Sequence, residues 1–275
     1  MVFENLVSPE ESDSLSLEQE VNLMKSLKIL LHFDRDHSHS LGIAEDLAAH
    51  TEECHGSDSP IALSVMSDLG SSYMNANEVA KAEELFSRTL VKLRRAKSAN
   101  VKEVADLLRH IALCKPRTEL SKAMTSVARA LEQKFGIKSA EDVAMQMLFT
   151  VMGRQPEPDM VAEEANKHLE DWFTEEEQKT DVPFVQIEIS QEERLRKLMP
   201  LLERAQIAAD IVEATDSHPL CRISILAQMS EVLLELGEVE RAKKLRQEQI
   251  VILRKHWGDE HAMTKEANAE LEKLA

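Results

Sequence analysis

Glycine, aromatic residues and paired cysteines are all scarce in this chain, and each shortage removes a class of structure. Seven glycines in 275 residues and an aromatic fraction of 4%, with one tyrosine and two tryptophans, argue against a sheet-built fold. Cys54, Cys114 and Cys221 are odd in number, widely spaced and without a CxxC pair, which excludes a disulfide framework and a thiolate metal site. They read as reduced, mostly buried thiols. No run of about eighteen apolar residues is available to cross a bilayer. The start of the chain, with Glu4, Glu10, Glu11 and Asp13, matches neither a secretory signal nor a basic presequence, so a cytoplasmic protein is expected. Basic residues are also outnumbered, 33 against 50 acidic ones, and the formal charge of −17 would repel both a phosphate backbone and an anionic membrane. Neither nucleic acid nor membrane is an expected partner. Finally, the chain has no Gly-rich phosphate loop and no Gly-x-Ser-x-Gly elbow.

What is plentiful is the inventory of strong helix formers, Leu, Ala, Glu, Lys and Met, within a 43% apolar composition. An all-α fold follows. Residues 1–14 carry no periodicity and read as a flexible lead-in to a helical repeat domain over 15–275, of about six hairpins. Leu17, Val21, Met24, Leu27 and Leu31 form a 3.6-period stripe, and Leu41, Ala44, Leu47 and Ala48 a second after the polar turn 34–40. A second pair occupies 59–97 with its turn at 75–77. A third runs from Val101 to Gly136, with Thr118 as N-cap and Gly136 as the stop of its second helix. A fourth covers 139–174, followed by an irregular acidic loop over 174–190. In the fifth pair Pro200 is placed as the first residue of the second helix. The sixth pair is 218–256, and 261–275 reads as a capping helix.

One hairpin pattern occurs twice, about 160 residues apart, and its turn signals recur about every 40 residues between, the spacing of a solenoid. The earlier copy has Leu69, Gly70, Tyr73, Asn77, Ala82 and Phe86; the later has Met229, Ser230, Leu233, Gly237 and Ala242. Gly70 and Ser230 stand where two helices must approach closely, and Ala82 and Ala242 where the second helix crosses back. These residues resemble the tetratricopeptide repeat, and the turns 56–60, 215–219 and 258–261 resemble its kinesin-light-chain style. The resemblance implies an alpha-alpha superhelix, a solenoid of antiparallel hairpins whose first helices line a concave groove for a peptide or helix of a partner protein. Carried over by position, the groove would present Ser67, Ser71 and Asn75 from the second hairpin, Arg109 and Lys115 from the third, and Gln228 and Glu231 from the sixth. The two cations would suit an acidic peptide or a C-terminal carboxylate.

The other clusters read more simply. His32, Asp34, Asp36, His37 and His39 are dense enough to suggest a metal, but adjacent loop ligands rarely complete a shell, and the turn reading prevails. Glu52 and His55 have the Glu-x-x-His spacing of di-iron bundles without a second copy. No catalytic residue, metal site or cofactor is therefore expected. The leading expectation is a non-catalytic adaptor or scaffold. Assembly through repeat end faces, as a homo-oligomer or fixed subunit, is the structural alternative. A third reading comes from the final hairpin, whose Gly237, Ala242 and Gly258-Asp-Glu-His261 turn also resemble the C-terminal helical region of SET- and MYND-domain lysine methyltransferases.

Overall fold

The computed structural model describes residues 6–7, 19–33, 40–95, 99–115, 118–136, 162–179, 189–216 and 219–274. Among these the fold is all-α, with eleven helices and one parallel bridge between Leu6–Val7 (β1) and Ala99–Asn100 (β2). The helices are α1 (Gln19–Phe33), α2 (Ser40–His55), α3 (Pro60–Asn75), α4 (Val79–Arg95), α5 (Val101–Cys114), α6 (Glu119–Phe135), α7 (Ala162–Lys179), α8 (Gln191–Asp216), α9 (Leu220–Glu235), α10 (Val239–Trp257) and α11 (Ala262–Lys273).

Local chemistry sets many of their ends. Ser59 Oγ accepts from the Ala62 N–H while Pro60 fills the first position of α3, where its missing N–H costs nothing. Asn100 Oδ1 takes the Lys102 N–H at the start of α5. Thr118 caps α6 through the Ser121 N–H, and Gly136 ends it with φ +68°, both at the expected positions.

Two elements correct the sequence reading. Pro200 starts no helix: it lies inside α8, which continues from Gln191 to Asp216. Pro200 and Arg196 are both exposed, so the Arg196 carbonyl, which loses its N–H partner to the proline, can meet water instead. Likewise, Glu175, Glu176 and Glu177 are not loop; they extend α7 to Lys179. Most of the 1–14 lead-in, the turn at 34–39, the segment 137–161 and residues 180–188 lie outside the described residues.

The turns at Asn77 and Gly237 are built alike. Both residues take left-handed backbone, with φ of +61° and +79°. Asparagine is among the few residues besides glycine that visit that region. Ala76 and Asn77 donate to the Ser72 and Met74 carbonyls, and Leu236 and Gly237 donate to those of Val232 and Leu234, every one at 3.0 Å. The following helices also open alike, with Ala82 bonding back to Glu78 and Ala242 to Glu238.

The chain divides into two compact units, one of residues 1–14 and 78–183, the other of 15–77 and 184–275. The helices flanking the turn at Asn77 therefore belong to different units, whereas α9 and α10 share one. In the first unit α4 packs on α5, α5 on α6, α6 on α7, and α7 returns to α4. Phe86 stacks on His110 with ring centroids 4.8 Å apart, and Arg94 lies 4.4 Å over the Phe173 ring while pairing with Glu177.

In the second unit α1 is the hub, packing against α2, α3, α8 and α9. The expected stripe of Val21, Met24, Leu27 and Leu31 is buried, and so are Leu23, Leu30, Glu20 and Ser26 beside it. An ordinary surface helix would leave much of that circumference wet. The hairpin of α9 and α10 closes tightly where Ser230 Oγ donates to the Ala242 carbonyl at 3.2 Å, the close crossing the small residues predict. Ala267 of α11 joins the core that Ile223, Leu226, Ile250 and Leu253 make beneath it.

Candidate functional site

The densest buried polar chemistry in the second unit gathers where α1, α2 and α8 meet. Glu20 of α1 is fully buried. His55 Nε2 of α2 lies 3.1 Å from Glu20 Oε1, and His50 Nε2 lies 3.8 Å from the same oxygen. Arg194 Nη1 of α8 comes within 3.5 Å of both carboxylate oxygens and 3.2 Å from His55 Nε2. Burial alone would push the Glu20 carboxyl up. The two imidazoles beside it, of which His55 is within hydrogen-bond distance, and the Arg194 charge overcome that, and the carboxyl is held well below the usual carboxylate range. Further along the same seam, Lys197 Nζ meets Glu53 Oε1 at 2.6 Å and Arg204 pairs with Asp46. Because 197 matches 53 and 204 matches 46, α8 runs antiparallel to α2.

Cys54, His50 and Glu20 stand in the order of a thiol, an imidazole and an orienting carboxylate, with Cys54 Sγ 3.6 Å from His50 Nδ1. The chemistry does not follow. Desolvation and the Glu20 charge push the Cys54 thiol up to about 11, and it is buried, so neither the thiolate nor an approach path for a substrate is in place. A metal is disfavoured by the same neighbours, since Arg194 puts a fixed cation where an ion bridging Glu20 and His55 would sit. Among the described residues no group of three or more His, Cys, Asp or Glu side chains could hold a metal ion. The His32-to-His39 cluster noted in the sequence lies outside the residues whose side chains are described.

A second polar network ties α1 to α9. Ser26 Oγ and Ser224 Oγ lie 2.8 Å apart, and the two hydrogens of Gln228 Nε2 are shared among three acceptors, Ser26 Oγ at 2.8 Å, Ser224 Oγ at 3.2 Å and the Asn22 carbonyl at 3.2 Å. Gln228, expected to face a groove, is thus a buried bridge between helices. Glu231, one turn on, is exposed. On α3, Asn75 is exposed and Ser67 and Ser71 are half-buried, the Ser71 hydroxyl bonding back to the Ser67 carbonyl.

The two expected cations fall in the first unit and are both engaged. Arg109 is buried, with its guanidinium forked onto both oxygens of buried Glu132 between α5 and α6. The face of α5 that was expected to open on a groove is, at Arg109, the face that packs on α6. Lys115 is half-buried and pairs with Glu83 of α4 at 2.8 Å.

Of the residues that build the junction, Cys54 and His55 stand out in the sequence, whereas Glu20, His50 and Arg194 do not. A signal existed for Glu20, which falls on the i, i+4, i+7, i+11 row with Met24, Leu27 and Leu31. For Arg194 there was none, because its partners lie 139 and 174 residues away. No described helix is long and apolar enough to cross a membrane. Comparison with protein-family models and with curated proteins yields no match for this chain.

Proposed function

We propose that this chain is a non-catalytic helical-repeat scaffold, built on hairpins of tetratricopeptide type, that holds a peptide or helix of a partner protein and works in the cytoplasm without a cofactor. The observation that carries the reading is the likeness of the turns at Asn77 and Gly237, each with one left-handed residue, two matching capping bonds and a matching first bond in the helix after it, the Gly237 turn adding a bond from the Glu238 N–H to the Leu233 carbonyl at 2.8 Å. Such likeness of backbone in two places is what a repeat unit would produce.

Ser67, Ser71 and Asn75 form an i, i+4, i+8 row along α3 that reaches solvent at Asn75. Uncharged hydroxyl and amide groups in a row can hydrogen-bond an extended peptide backbone without demanding a particular sequence. Glu231 on α9 adds a charge that would favour a basic side chain. Co-purification from cell extract tests the reading with wild type, a Ser71→Arg/Asn75→Glu variant and Glu231→Lys. A partner lost from the α3 variant, with thermal stability unchanged, supports it; a partner set identical in all three proteins refutes it.

A second reading, assembly through helix faces, is favoured by Ile207 and Ile211 on α8, which stand one turn apart and are 61% and 44% exposed. Concentration-dependent association in sedimentation that Ile207→Asp abolishes would support assembly. A monomer at all concentrations would dismiss it.

A further inference from the structure

The geometry points to a carboxylate-binding site at the corner between α10 and α11: the bare N-terminus of α11 takes the anion, and Trp257 and Met263 flank the apolar group that carries it. The site uses none of the α3 row and needs no assumption about what that row holds.

The usual means of satisfying a helix start are missing from α11. Its N-cap residue, His261, makes no side-chain capping bond, and its first turn carries no acidic residue. The N–H groups of Ala262, Met263 and Thr264 precede the first helical bond, which runs from the Lys265 N–H to the His261 carbonyl at 3.1 Å. Ala262 and Met263 are exposed, so this end of the helix meets solvent. By contrast, Ser59, Asn100 and Thr118 cap α3, α5 and α6 through their side chains.

A buried group beside these donors calls for the same partner. Thr264 is fully buried, and its hydroxyl has no hydrogen-bond partner. Side chains lean toward the N-terminus of their helix, so a hydroxyl at the third helical position stands beside the bare N–H groups, where a capping-box glutamate would reach. An oxyanion held there would accept the hydroxyl proton from the core side and relieve the penalty of leaving it unpaired. His261 Nδ1 is also buried without a partner, and in its Nδ1–H tautomer it adds another donor.

Charge balance selects a single negative charge. Arg254 pairs with Asp259 at 2.6 Å and Lys265 with Glu260 at 2.7 Å, so the attraction comes from the helix start itself, equivalent to about half a positive charge. That suits a carboxylate better than a doubly charged phosphate. Trp257 stacks on His261 with ring centroids 5.7 Å apart, and it is 37% exposed, as is Met263. A large apolar ring next to the anion gives the ligand's stem a surface against which to leave water.

NMR titration of the full-length chain at about 150 mM salt tests the site with N-acetyl-leucine, N-acetyl-leucine amide, isocaproate and inorganic phosphate. N-acetyl-leucine should shift the Ala262, Met263 and Thr264 amides and the Trp257 indole saturably at about 1–10 mM, as befits about a dozen heavy atoms. Its uncharged amide should bind at least about tenfold more weakly. Isocaproate keeps the stem and carboxylate without the peptide group; binding as tight as N-acetyl-leucine assigns the site to a free acid, and weaker binding assigns it to a chain terminus. His261→Asp supplies the missing cap from within, so thermal stability should hold or rise while N-acetyl-leucine binding falls at least about tenfold. Thr264→Val should weaken binding about three- to tenfold. No saturable shift in the wild type, equal binding of the acid and its amide, tighter binding of phosphate, or undiminished binding in His261→Asp overturns the inference. Should His261→Asp fold poorly, Ala262→Pro takes its place, since it deletes one donor at the first helical position, where proline suits a helix; undiminished binding there overturns the inference as well.

Discussion

Arg109→Met would remove the guanidinium that both Glu132 oxygens grip between α5 and α6. The two residues are 8% and 4% exposed, so the carboxylate would be left inside the helix pair with its cation gone. Breaking a buried pair in this way costs about 3–5 kcal/mol, whereas replacing both members by apolar residues of similar size is often neutral. Against a total stability of about 5–15 kcal/mol, the single substitution is severe. With a urea slope of about 2 kcal/mol per molar, it should shift the transition of the first unit about 2 M lower. Arg109→Met/Glu132→Leu should return to within about 1 kcal/mol of wild type. Urea unfolding followed by far-UV circular dichroism on wild type, the two single variants and the double variant closes the cycle and isolates the pair's coupling. A loss below about 1 kcal/mol in Arg109→Met, or a double variant no more stable than the single, would refute the reasoning. The same logic bears on partner binding, because charge reversal at Arg109 would set two carboxylates together inside the unit and disrupt α5 and α6 rather than a binding face.

Other consequences can be checked on the same protein. The Glu20 carboxyl is held below its ordinary range, so its contribution is present above the unfolded carboxyl value of about 4.3 and is lost as pH falls beneath it; Glu20→Gln should lower stability at pH 7 and flatten the acid limb of a stability–pH curve. Ser230→Leu should cost about 1–3 kcal/mol by forcing α9 from α10 at the Ala242 carbonyl, while Ser230→Ala should cost about 1 kcal/mol or less, both read from thermal unfolding. Asn77→Gly should raise stability by a few tenths to about 1 kcal/mol, since φ there is +61°, and Asn77→Val should lower it. Cys54, Cys114 and Cys221, each raised to about 11 by burial, should resist alkylation at pH 8 in the native protein and react fully in urea; rapid native labelling of Cys54 would contradict the closed junction.

Legibility differed between the helices and their packing. Thr118, Gly136, Asn77, Gly237 and the pairing of Ser230 with Ala242 act over at most about one hairpin, through capping, φ sign and side-chain volume, and these are properties of residue type and spacing. Pro200 misled because a proline's effect on a helix depends on whether the orphaned carbonyl faces water, and that is decided by what packs on the other side. Arg109 and Gln228 misled for a related reason. A polar residue on a helix face reads the same whether the face meets solvent, a ligand or another helix, and only the partner helix tells them apart.

The amino-acid order by itself determined that the chain is helical, where most described helices begin and end, and that one turn is built twice, because those features rest on interactions between residues a few positions apart. Tertiary structure alone decided that the chain forms two units, that α1 becomes a hub for helices from both ends of the sequence, and that Glu20, His55 and Arg194 share one buried junction. Burial and charge compensation are properties of the assembled neighbourhood. A glutamate becomes a buried anion only once an arginine 174 residues away has been brought against it.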